Sequence, residues 1–159
     1  MKFIPNLKVT TAETPLVFQL SPGEEALLLA TLRLYPVLDN GHHRISKDPK
    51  SAGSAEQRLL EESMAQLRAA HRHKLDELFR APQRFFKGAS GARHLILTGA
   101  QFEWLLQVLN DIRVGCWVRL GCPELEDARP PELTRMNARA LHTMHISGQF
   151  QMALLEAVK

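Results

Sequence analysis

The chain has 159 residues, 45% of them hydrophobic and 23% charged, which suits one globular domain with a sizeable core better than two independent ones. Twenty basic residues against seventeen acidic give a net charge of +3, and only Arg68, His71, Arg72, His73 and Lys74 cluster, so direct nucleic-acid binding stays a third-ranked reading. No stretch approaches the roughly twenty apolar residues of a membrane span, and Met1 to Leu7 lacks the apolar run of a secretory signal, so a cytoplasmic location is expected.

Residues 1–15, with prolines at 5 and 15, read as an extended arm. Leu16–Leu20 has the pattern of a short strand and runs straight into Ser21-Pro-Gly-Glu24. Ser21 as N-cap, Pro22 in the first turn and Glu24 completing a capping box predict a helix start there. The helix continues through Leu27, Leu28, Leu29, Leu32 and Leu34 to about Leu38, and its nearly all-round apolar surface predicts extensive burial. Residues 39–54 are polar and rich in turn formers, the pattern of a mobile loop; His42 and His43 lie there without a third ligand at metal-site spacing.

A long helix is predicted from Ser54 to Phe79, with Leu60, Met64, Leu67, His71 and Leu78 on one narrow stripe. His71, within that stripe, reads as a hydrogen-bonded core histidine. Ala81-Pro82 stops the helix. The following loop carries Arg84, Phe85, Phe86 and Lys87, which either pin aromatic rings to the core or offer them to a partner. Next, His94–Leu97 meets Thr98 and Gln101, repeating the strand, cap and helix grammar of residues 16–32. The two short strands are therefore predicted to pair as a two-stranded ribbon over helices.

The helix from Thr98 to Gly121 is the predicted pillar of the fold, with Phe102, Leu105, Leu106, Leu109, Ile112, Cys116 and Leu120 on one face and Trp104 and Val108 widening it. Arg113 projects inside that face, between Phe102 and Leu106, whereas Asp111 points to the opposite side; Asn110, Asp111 and Arg113 with Glu61 and Glu62 form the candidate polar cluster. A buried guanidinium needs a carboxylate or carbonyl, so Glu61 or Glu62 of the preceding long helix is expected to meet it, unless the side chain snorkels outward or holds an anion or an acidic peptide. Cys116 and Cys122 are too few for a disulfide framework and lack zinc-site spacing; Arg113 and Arg119 flank Cys116, leaving a redox thiol as the alternative to an ordinary buried one. After an acidic, proline-containing link at 123–131, a last helix is predicted from about Glu132 to Val158. Leu133, Met136, Ala140, Met144 and Leu155 share its packing face, and Ser147-Gly148 marks a kink or a close helix approach. His142 and His145 lie one turn apart, away from that stripe.

The run Leu105-Leu106-Gln-Val-Leu109-Asn110-Asp111-Ile112-Arg113, followed by Arg119-Leu120-Gly121, resembles the signature of the AosR-like proteins, small helical bacterial proteins named for oxidative-stress regulation. Leu20-Ser-Pro-Gly-Glu-Glu-Ala-Leu27 and the closing helix Gln149 to Val158 are also similar, so the resemblance spans most of the chain. It implies a helical regulatory or adaptor protein; the family's close cysteine pair differs in spacing and context from Cys116 and Cys122.

The expectation is thus a mainly α, single-domain bundle of about four helices with a small β ribbon. It is read as a non-catalytic regulator or adaptor that needs no cofactor or metal and binds a protein partner, a second copy of itself included. Arg113 and the Arg84 to Lys87 loop are the expected contacts. A thiol- or metal-dependent enzyme is the alternative from another class.

Overall fold

The computed structural model describes residues 2–3, 15–38, 54–81, 85–88, 91–122 and 134–158. The expected mobile loop, apart from Ser54, most of the N-terminal arm, the 123–131 link and the histidines 42 and 43 lie outside them. The chain is mainly helical, with a small antiparallel sheet. Its elements are β1 (Lys2–Phe3), β2 (Leu16–Leu20), α1 (Pro22–Leu32), α2 (Ala55–Arg80), β3 (Phe85–Lys87), β4 (Arg93–Leu97), α3 (Gly99–Arg119) and α4 (Arg135–Ala157).

The two strand, cap and helix units form as the sequence dictates. The Glu24 N–H donates to Ser21 Oγ at 3.2 Å, and the Ser21 N–H donates to Glu24 Oε2 at 2.7 Å. Thr98 and Gln101 repeat the reciprocal pair at 3.2 and 2.9 Å. Each box satisfies two backbone donors that a helix start leaves without an intrahelical partner. The strands leading into the two boxes pair antiparallel, Leu16 opposite Leu97 and Leu20 opposite Arg93. An ion pair at 2.9 Å between Arg93 Nε and Glu25 Oε2 ties β4 to the start of α1.

The ribbon is wider than expected. β3 adds to β4 and the two-residue β1 adds to β2, giving the order β1-β2-β4-β3. Phe85 and Phe86 therefore sit in a strand, not a loop, because Gly88 and Gly91 close a tight turn between β3 and β4. Gly91 has φ +80°, a conformation that other residues enter only at a cost.

The pillar is where the sequence placed it. Phe102, Trp104, Leu105, Val108, Leu109, Ile112, Gly115 and Cys116 are buried along α3. Phe18 of β2 stacks on Phe102 at 5.9 Å between ring centroids, and α3 packs along α4 and against α1. At its end the Gly121 N–H donates to Val118 O and the Cys122 N–H to Trp117 O, at 3.0 and 3.1 Å. With Gly121 at φ +82°, this is the Schellman arrangement that glycine permits.

Three helix readings need correction. α1 stops at Leu32, six residues before the expected end, as the chain tightens into turn hydrogen bonds from Leu34 to Thr31 and from Tyr35 to Leu32 before Pro36. It buries only Leu28, Thr31 and Leu32 on one side, and Leu27 is exposed, because the small sheet and the α3–α4 pair cover one flank of it. On α4 the buried positions are Thr143, Ser147, Phe150 and Leu154, whereas Leu155 is exposed. This stripe carries two hydroxyls, and Ser147 donates to the Thr143 carbonyl at 2.8 Å, so hydrophobicity alone misplaces the face. Ala140 and Met144 do pack against the core; Leu133 lies outside the described residues. Gly148 marks no unusually close approach: a Cβ there would meet only Arg113 Cδ at 3.7 Å, an ordinary contact.

Candidate functional site

The residues expected to converge around Arg113 separate into three places. Arg113 is exposed and donates from Nη2 to Asn110 Oδ1 at 2.8 Å, one turn back on its own helix. Glu61 accepts a hydrogen bond from Gln57 Nε2 at 2.9 Å within α2, and both Glu61 and Glu62 are exposed. Neither carboxylate neutralises a buried guanidinium. The reason is angular: the buried arc of α3 runs from Trp104 to Phe102, about 160° centred close to Ile112, at roughly 100° per residue. Arg113 falls just past its edge, and its stem lies over Gly148.

Asp111 sits past the opposite edge of that arc and joins a polar cluster that spans three segments. His71 of α2, only 4% exposed, places Nδ1 3.2 Å from the Tyr35 hydroxyl and 3.8 Å from Asp111 Oδ2. The Trp104 ring meets the imidazole edge-on at 6.4 Å. Burial pushes the His71 pKa down, Asp111 opposes this, and Lys74 adds to the depression. Burial and the Asp111 charge push the Tyr35 phenol up to about 12, against the pull of Arg68 and Arg72. Near pH 7 both rings are therefore neutral, and the phenol and Nδ1 share one hydrogen bond whose direction follows the imidazole tautomer. The cluster acts as a latch that seats the second half of α2 on α3. The expectation of a hydrogen-bonded core histidine at position 71 matches this geometry.

The thiols lie apart. Cys116 is buried and lines a cleft of about 620 Å³ with Leu34, Val37, Arg119, Arg139 and Thr143. Burial pushes its thiol pKa up, and Arg119 only partly offsets this, so the flanking cations do not produce a thiolate. Arg113 is absent from that balance. Cys122 is exposed just beyond the helix end, and both thiols are free.

Of the expected partner loop, Phe85 packs against the core and Phe86 stacks on His94 at 4.8 Å, while Lys87 is exposed. Phe85 thus turns toward the core, whereas Phe86, on the opposite face of the strand, is covered by His94; Arg84 lies outside the described residues. His142 and His145 are exposed. Among the described residues, no three His, Cys, Asp or Glu side chains come together in a metal-sized cluster.

The surface that sequence reasoning passed over is on α2. Its buried positions are Gln57 at the start and His71, Leu75 and Leu78 in the second half; none of residues 58–70 is buried. Leu60 and Met64 are half-buried, and Leu59 and Leu67 are 63% and 44% exposed. In projection, exposed Ser63 and Ala70 lie between Leu59 and Leu67, which leaves an apolar and small-residue band bordered by polar and charged side chains. The apolar stripe from Leu60 to Leu78 was legible, but its pattern cannot say that it is fully buried only from His71 onward and half-buried at Leu60 and Met64.

No protein-family model, curated protein or solved structure matches the chain.

Proposed function

We propose that the chain is a non-catalytic helical regulatory or adaptor protein that binds another protein through the first half of α2. The observation that carries this reading is the exposed pair Leu59 and Leu67, two large apolar side chains within three turns of one helix, beside a neighbouring stripe that is buried from His71 onward. Isolated exposed leucines are ordinary; a band on a helix latched to the core at one end is a docking geometry. The resemblance to the AosR-like proteins, which implies a helical regulatory or adaptor protein, supports the same reading, and stress-linked transcriptional or proteolytic regulation is the setting proposed for it. Against the thiol-dependent alternative stands the upward push on the Cys116 thiol. The expected contacts at Arg113 and Lys87, both exposed, become secondary positions on this view.

Affinity capture from the native host tests the proposal. Leu59→Glu with Leu67→Glu removes the band without touching a buried position, so circular dichroism and thermal melting stay near wild type. A protein retained by the wild-type chain is lost by the double variant. Equal retention by both sinks the proposal.

A further inference from the structure

We infer that the α2 band docks a second copy of this chain, the two α2 helices lying antiparallel about a two-fold axis at the height of Ala65, whose own side chain faces away from the contact. The inference rests on the reading of α2 as the docking face and names the partner. Helix α2 has 26 residues, about 39 Å at 1.5 Å per residue, and its charge is divided along that length. Residues 55–67 carry Glu56, Glu61 and Glu62 against Arg58, whereas residues 68–80 carry Arg68, Arg72, Lys74 and Arg80 against Asp76 and Glu77. Parallel copies set like charges together; antiparallel copies set the acidic half of each against the basic half of the other.

The side-chain sizes obey the same axis. Glu56 and Lys74 are both exposed, 18 residues or five whole turns apart, and hence on one side of the helix at equal distances from Ala65. In an antiparallel pair each therefore faces the other's counterpart. Within one residue of the same centre, Leu59 falls opposite Ala70 and Leu67 opposite Ser63, so each exposed leucine meets a small residue. Such large-against-small alternation lets two helices approach closely, and a two-fold axis makes each contact occur twice. A single helix pair is small for a stable interface, so the dimer is reversible and concentration-dependent.

Sedimentation equilibrium of the full chain over a wide concentration range tests this. The wild type passes from monomer to dimer, and Leu59→Glu/Leu67→Glu stays monomeric. Glu56→Lys and Lys74→Glu each weaken the dimer by roughly tenfold, because two exposed ion pairs are replaced by two like-charged ones. An equimolar mixture of these two single variants restores wild-type association, since every facing pair is again of opposite charge. A chain monomeric at every concentration, a dimer indifferent to the leucine and charge variants, or a mixture no tighter than its components overturns the inference. If the chain is monomeric and the leucine variant still loses a captured protein, the second-copy inference fails and the docking-face reading stands. Loss of neither dimer nor captured protein sinks both.

Discussion

Replacing Gly115 by alanine pits helix propensity against packing. Alanine favours a helix interior over glycine by about 1 kcal/mol, so on propensity alone the substitution stabilises. The new Cβ, however, would lie 2.8 Å from Val37 Cβ and 3.2 Å from its Cγ1. Val37 is buried and its Cβ is fixed to the backbone, so relief requires a main-chain shift in the segment that also carries Tyr35 to His71. Overpacking costs about 1–3 kcal/mol, and a clash with a backbone-fixed atom falls in the upper part of that range, so after the propensity gain the expected net loss is about 1–2 kcal/mol. Tm then falls by about 2–4 °C for each kcal/mol in a chain of this size. Gly148→Ala is the control, since its Cβ would meet only the Arg113 Cδ at 3.7 Å, an ordinary contact with a flexible side chain. There propensity wins, and a gain of about 0.5–1 kcal/mol is expected. Urea unfolding of both variants gives the two signs directly. Gly115→Ala at or above wild-type stability would refute the close approach of α3 to the Val37 segment, and Val37→Ala in the Gly115→Ala background should recover part of the loss.

The buried cluster titrates in two directions. Because His71 in the folded chain has a pKa below its unfolded value of about 6.5, the unfolded state gains the proton first as pH falls. Stability is therefore full above about pH 6.5 and declines below it; His71→Phe flattens that decline in urea midpoints measured across the window, and an unchanged slope counts against the latch. Tyr35 is the single tyrosine, so phenolate absorbance reads it alone. The folded chain ionises near 12, and the denatured chain near 10 as an ordinary phenol does, so stability falls as pH rises above about 10. A folded midpoint close to the denatured one would contradict the burial of the hydroxyl. With Ellman's reagent Cys122 reacts at once and Cys116 only on unfolding; two fast thiols would show that the Cys116 cleft is open.

Local chemistry made much of this fold legible. Ser21 with Glu24 and Thr98 with Gln101 announce helix starts because a reciprocal cap depends on residues three apart, and short apolar strands before each cap announce their pairing. The width of the sheet was hidden, since Phe85-Phe86-Lys87 is too short for a periodicity to declare itself. Arg113 misled for a different reason: a helical wheel orders side chains by angle but does not locate the edge of the buried arc, and in the half-buried sector past Phe102 the long arginine reaches solvent while Leu106 packs on the core. The α4 face was obscured by its own hydroxyls, Thr143 and Ser147, which hydrogen bonding makes acceptable inside. For the site, His71 was identifiable as a core histidine, but its partners Tyr35 and Asp111 come from segments 36 and 40 residues away and leave no spacing signal. The apolar stripe of α2 was legible, yet which of its positions are fully covered and which leave Leu59 and Leu67 exposed beside it is a property of the assembled core.

Amide hydrogen exchange along α2, compared in dilute and concentrated solutions of the full chain, tests the docking face most directly. In dilute solution the amides of residues 58–70 should exchange faster than those of 71–78, and concentration should slow the first group while leaving the second unchanged. Uniform slow exchange along the whole helix, or rates indifferent to concentration, would mean that the band around Leu59 and Leu67 is not where a second copy binds.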